Sequence, residues 1–237
     1  MQPNTQSSSD GFHQPAVTSQ TVASLQQKVL RNTYLLLALT LVPTGIGALI
    51  GLNLNFGILR ASPIISSLAI LAIVYGMFFA IEKNRDSGLG VALLLALTLF
   101  LGIILGPLLQ VAVGLRNGGQ LVAMAAGGTA IVFFAMAGIG STTKRNFSFL
   151  GNFLVIGCIV VMLAVVANIF FASPALHLTI CAVFVLLSSM IILFQVNQIV
   201  HGGETNYVSA TLTLYMSIYN LFSSLLQILM ALTGQRE

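Results

Sequence analysis

Long stretches without Asp, Glu, Lys or Arg dominate the chain, and short polar interruptions between them carry most of its formal charge. A helix crossing about 30 Å of hydrocarbon at 1.5 Å per residue needs about 20 residues. Seven uncharged runs meet that need: Tyr34–Leu52, Ala61–Ile81, Leu89–Leu109, Leu121–Gly140, Phe147–Phe171, Ala175–Phe194 and Tyr207–Leu232. Between Arg145 and Glu204, 58 residues carry no formal charge, too many for one span. Ser173–Pro174 divides them, because proline ends one helix and suits the first turn of the next. The pattern predicts an all-α, polytopic membrane protein with seven transmembrane helices.

Composition removes the alternatives. Of 237 residues, 57% are hydrophobic and 6% charged, against about 45–50% and about 25% in a soluble domain. Nine basic and five acidic side chains cannot cover a water-soluble globule of this size. A soluble enzyme and a disordered chain are both excluded, and the lipid bilayer is the first partner. The basic residues are scattered, without the continuous face that nucleic-acid binding needs.

Their distribution predicts an orientation. Lys28, Arg31, Lys83, Arg85, Lys144 and Arg145 fall on one side of the spans; Arg60, Arg116 and Arg236 fall on the other. That places the N-terminus in the cytoplasm and the C-terminus outside. Met1–Gln27 is rich in Gln, Ser, Thr, Asn and Pro, and reads as a disordered cytoplasmic tail ahead of a seven-helix domain over residues 28–237. A short helical approach, Thr21 to Arg31, leads into the first span. The tail lacks the basic and apolar regions of a secretory signal.

The spans contain no nucleophile elbow, zinc-binding H-E-x-x-H or P-loop, so neither an enzyme nor a cofactor is expected. Gly47 with Gly51, and Gly102 with Gly106, have the spacing that lets helices approach closely in lipid; packing within the bundle is the expected use. Cys158 and Cys181 fall at depths differing by about 9 Å, beyond disulfide reach. His177 near the outer end of the sixth span is expected to be a structural, hydrogen-bonded residue.

Polar side chains concentrate late in the chain. Gln195, Asn197, Gln198, His201, Glu204 and Asn206 lie between or just inside two apolar spans. The seventh span then carries Thr211, Thr213, Ser217, Asn220, Ser223, Ser224 and Gln227. Such groups are costly against lipid, where no water replaces a lost hydrogen bond. The seventh helix should therefore be central. Its polar groups serve either as interhelical glue or as a polar path or latch.

His201-Gly202-Gly203-Glu204-Thr205-Asn206-Tyr207, followed by Ala210-Thr211-Leu212 and Asn220-Leu221-Phe222, resembles the signature of the Bax inhibitor-1 family. Lys28-Val29-Leu30-Arg31-Asn32-Thr33-Tyr34, Gly127-Gly128-Thr129-Ala130 and Pro174-Ala175-Leu176-His177 match it too. The resemblance extends from Lys28 to the C-terminus and is narrowest to a bacterial inner-membrane branch. It implies six helices around the seventh and offers two roles. The bacterial branch associates with the ATP-driven, zinc-dependent membrane protease FtsH and restrains its attack on other membrane proteins. Other members are pH-sensitive calcium leaks, in which an acid ending the sixth helix pairs with one in the seventh.

Gln195 and Ser217 stand where that acid pair would be, and neither titrates. Two carboxylates sharing a proton form a pH latch because close like charges raise one pKa; Gln and Ser cannot. The expectation is therefore a non-enzymatic modulator of an FtsH-type protease, both inhibitor and slow substrate, in membrane protein quality control. A leak with weak calcium or proton passage is the alternative, and a small-solute transporter is weaker still. The candidate core is Gln195, Asn197, His201, Glu204, Asn206, Ser217 and Asn220. In the tail, Asn4 to Gln20 is the candidate handle for the protease, since 27 extended residues reach about 90 Å.

Overall fold

A computed structural model of the chain describes residues 19–57, 62–143 and 147–234. Asn4 and most of the tail, Arg60, Lys144, Arg145 and Arg236 lie outside the described residues. The described residues form helices α1 (Ser19–Asn53), α2 (Pro63–Lys83), α3 (Gly88–Ile104), α4 (Gly106–Val113), α5 (Gly118–Thr142), α6 (Ser148–Phe171), α7 (Pro174–Val200) and α8 (Tyr207–Gly234). They supply seven membrane-length apolar segments, with α3 and α4 sharing the third.

Two boundaries differ from the hydropathy pattern. α1 begins at Ser19, ahead of the tail boundary set at Gln27, so Gln20 and the approach segment belong to one helix with the first span. With its amide turned to satisfy both neighbours, the Gln26 side chain donates to the Val200 carbonyl at 3.1 Å and accepts from Gly202 N–H at 3.3 Å. That bond holds the approach against the loop after α7. The third span is broken at Leu105 because Pro107 lacks the N–H that would continue the ladder.

α8 runs through the centre. It packs against α1, α2, α3, α4, α5 and α7, while α6 lies outside α7 and faces α8 across a pocket. One core cluster joins Leu36 and Leu37 of α1, Leu94 and Leu97 of α3, and Ile192 of α7 to Leu212, Leu214 and Tyr215 of α8. A second, nearer the other end, collects Leu109, Leu121 and Ala125 around Leu226. α1 and α3 meet backbone to backbone. A Cβ on Gly47 would strike the Leu99 carbonyl, and one on Gly51 would lie 2.5 Å from the Ile103 carbonyl. Gly102 and Gly106 are equally confined by Thr44 and Gly51. The small-residue spacing is thus an internal seam. At its far end the Gln110 amide donates to the carbonyls of Gly51, Leu52 and Leu54 at 3.0, 3.2 and 2.9 Å, closing the end of α1.

Candidate functional site

The loop from α7 to α8 is built by its own sequence. His201 closes α7, with Nδ1 2.9 Å from the Asn197 carbonyl, and Gly202 takes the left-handed turn at φ 76° that a Cβ would strain. The Glu204 carboxylate then accepts from the Asn206 N–H at 2.8 Å. Asn206 Oδ1 accepts from the backbone N–H groups of Val208 and Ser209 at 2.8 and 3.2 Å, capping α8. Glu204 thus braces the backbone of Asn206, the residue that caps α8.

Sequence order did not reveal its neighbours. The end of α2 and the loop after it bring two more carboxylates, Glu82 and Asp86, to the start of α8. Asn206 Nδ2 donates to Asp86 Oδ1 at 2.7 Å and to the Arg85 carbonyl at 3.3 Å. Ser209 Oγ donates to Glu82 Oε2 at 2.9 Å. Glu82 also faces Arg85 at 3.5 Å in a largely exposed pair, which contributes little to stability. The start of α8 is thus pinned to the end of α2 by side chains about 120 residues away in sequence. Only their place next to the charged Lys83–Asp86 loop could have pointed to them.

Deeper in the bundle the predicted residues separate. Asn197 is fully buried; its Oδ1 accepts from the Phe147 N–H at 3.0 Å, and its Nδ2 donates to the Gly140 carbonyl at 3.4 Å. It ties α5, α6 and α7 together at one end. Ser217, also buried, donates to the Thr213 carbonyl of its own helix at 2.9 Å. Gln195 is buried, and its Nε2 has no hydrogen-bond partner among the described residues. The two positions where the resemblance places an acid pair therefore hold no carboxylate, and Gln195 and Ser217 are not hydrogen-bonded to each other. Tyr215 takes a larger part than its sequence context suggested: its hydroxyl lies 2.8 Å from Thr44 Oγ1 and donates to the Thr98 carbonyl at 3.4 Å.

Asn220 belongs elsewhere, to a pocket of about 270 Å³ between α6, α7 and α8. His177, Gln227 and Asn168 line it as well. His177 Nε2 is 2.6 Å from Gln227 Oε1 and 3.9 Å from Cys181 Sγ, in agreement with a structural, hydrogen-bonded histidine. Cys158 and Cys181 are both free. Among the described residues, no group of three or more His, Cys, Asp or Glu side chains is arranged to hold a metal.

A central polar helix capped between two loops, inside a seven-span apolar bundle, defines a class of polytopic helical membrane protein. The chain belongs to the family described as inhibitor of apoptosis-promoting Bax1, whose model matches residues 26–234. It is 47% identical over 202 residues to the modulator of FtsH protease YccA of Escherichia coli K12, covering 85% of this chain and 89% of that protein. It is 44% identical over 220 residues to an uncharacterised protein of Neisseria meningitidis serogroup A, covering 92% and 96%. With an uncharacterised membrane protein of Vibrio cholerae the identity is 41% over 202 residues, covering 85% and 88%.

Proposed function

We propose that the chain modulates an FtsH-type ATP-dependent protease in membrane protein quality control, as a non-enzymatic inhibitor that is itself slowly degraded. The observation that carries this reading is the 47% identity to the Escherichia coli modulator, spread over 85% of the chain. An equally similar relative in a second Escherichia coli strain, 47% identical over 202 residues, is named an inner membrane protein, which supports an inner-membrane location here. The excess of basic residues on one side supports a cytoplasmic N-terminus and a periplasmic C-terminus.

The tail would be the handle and the seven-span bundle the brake, since dragging spans from lipid exposes satisfied backbone groups at high cost. Solubilised membranes should yield the protease with the tagged chain; its absence from that pull-down rejects the reading. Deleting Asn4 to Gln20 should lengthen the protein's lifetime in cells containing active protease. Equal half-lives for the two forms would remove the handle while leaving inhibition to be judged by the pull-down.

The calcium or proton leak loses its familiar chemistry at Gln195 and Ser217, which have no titratable group. Gln195→Asp combined with Ser217→Asp should create a pH-dependent cation flux in liposomes that the unmodified chain lacks. A steep pH response of the unmodified protein would favour the leak.

A further inference from the structure

A groove of about 1010 Å³ runs along the outside of the bundle between α1, α5 and the α3–α4 junction, with α8 as its floor. It opens sideways into the bilayer: Leu41 and Phe134 on its rim are 51% and 71% exposed. Its α1 wall extends from Tyr34 to Ala48. That distance is about 21 Å at 1.5 Å per residue, longer than the roughly 15 Å of one hydrocarbon leaflet. Small residues create the width. Gly45 and Gly138 line the groove, and a Cβ added at either would meet nothing within 4 Å.

Apart from the Tyr34 and Tyr219 hydroxyls, the polar side chains along this wall are already engaged. Thr44 and Tyr215 bond to each other, Thr129 donates to the Ala125 carbonyl, and Ser141 donates to the Gly138 carbonyl. The lining suits hydrocarbon better than a polar solute, because a polar guest would lose its own hydration without new partners.

One end of the groove is different. Arg31 lies one helical turn before Tyr34 and is its i, i+3 neighbour on α1, while Lys28 is a further turn back and about 120° round the helix from Tyr34, within reach only through its long side chain. Both are exposed, and the single ion pair among the described residues is that of Arg85 with Glu82. Two cations without a carboxylate partner thus stand where the groove meets the membrane surface.

We infer that the groove binds an anionic glycerophospholipid, with one acyl chain along α1 and α5 and the phosphate at Arg31 and Lys28. The hydrocarbon trough sets the chain's place, and the unpaired cations select the headgroup. The occupant comes from the leaflet on the Lys28–Arg31 side.

The test uses full-length protein in detergent, titrated with dioleoylphosphatidylglycerol or dioleoylphosphatidylcholine and read by native mass spectrometry. Phosphatidylglycerol should be retained preferentially at one molecule per chain. Lys28→Gln with Arg31→Gln should reduce that preference about fivefold per charge removed while leaving phosphatidylcholine retention unchanged. Gly45→Leu should lower retention of both lipids; Gly138→Leu provides the same obstruction from α5 if Gly45→Leu does not fold. Equal retention of the two lipids by the unmodified chain overturns the inference, as does undiminished retention in the filled groove. A dimer that the Gly45 substitution abolishes would assign the groove to a second copy and overturn it too.

Discussion

α6 and α8 are both long, uncharged helices, yet they occupy opposite surroundings. α6 is the most apolar of the seven spans and α8 the least. α6 turns Phe149, Phe170 and Phe171 outward, each about three-quarters exposed, while Val208, Leu214, Leu221 and Leu226 of α8 have no exposed surface. The contrast reverses the rule for soluble proteins, because lipid accepts apolar side chains and penalises unpaired polar ones. The span with more hydroxyls and amides is therefore the one that needs protein on all sides.

Alanine substitutions measure that contrast most directly. Leu214→Ala should lower stability by about 2 kcal/mol, the lower end for a buried cavity because lipid is no worse a solvent for the lost methyls than the core. Ile159→Ala on α6, 55% exposed, should change stability by no more than about 0.5 kcal/mol. Thermal unfolding in detergent compares them, and equal losses would mean that α8 is not the centre of the bundle.

The next largest effect should come from Asn197, which ties the start of α6 to α5 and α7. Asn197→Ala leaves the Phe147 N–H at the start of α6 without its acceptor, a loss of about 1–3 kcal/mol. Hydrogen exchange should then accelerate at the start of α6 before it does in α8. Asn206→Ala removes the cap of α8 and its link to Asp86 at about 1 kcal/mol, with faster exchange in the first turn of α8. The smallest effect carries the opposite sign. Because Gln195 Nε2 has no partner among the described residues, Gln195→Leu should be neutral or stabilise by up to about 1 kcal/mol. A clear destabilisation there would reveal a polar partner for the amide.

Much of this was legible from charge gaps alone. Span count and the central place of α8 followed from length and from the polar density after Tyr207, because the bilayer imposes both. The break at Leu105 was marked by Gly106-Pro107 inside an otherwise unbroken apolar run, a local signal that a hydropathy pattern averages away. The helical approach over Thr21 to Arg31 was expected, but its start at Ser19 and the contact of Gln26 with Val200 and Gly202 were not, since the latter depends on which loop lies beside α1. In the candidate site, the contact of Glu204 with Asn206 is local, two residues apart. Glu82 and Asp86 were not readable, since their meeting with α8 depends on which spans are neighbours. That Gln195 and Ser217 carry no titratable group is a matter of residue type alone.

The α1–α3 seam has a mechanical consequence. Gly47 and Gly51 lie against backbone atoms with no side chain between that could yield, and Gln110 grips the far end of α1 by three carbonyls. A force drawing the chain by its N-terminal end loads this seam lengthwise, so that many close contacts must slip together before α1 moves. A force from the other end meets α8, whose last described turns are held across the bundle by a single hydrogen bond, Gln227–His177. The bundle is therefore stiffest against tension on the side where its polar tail begins.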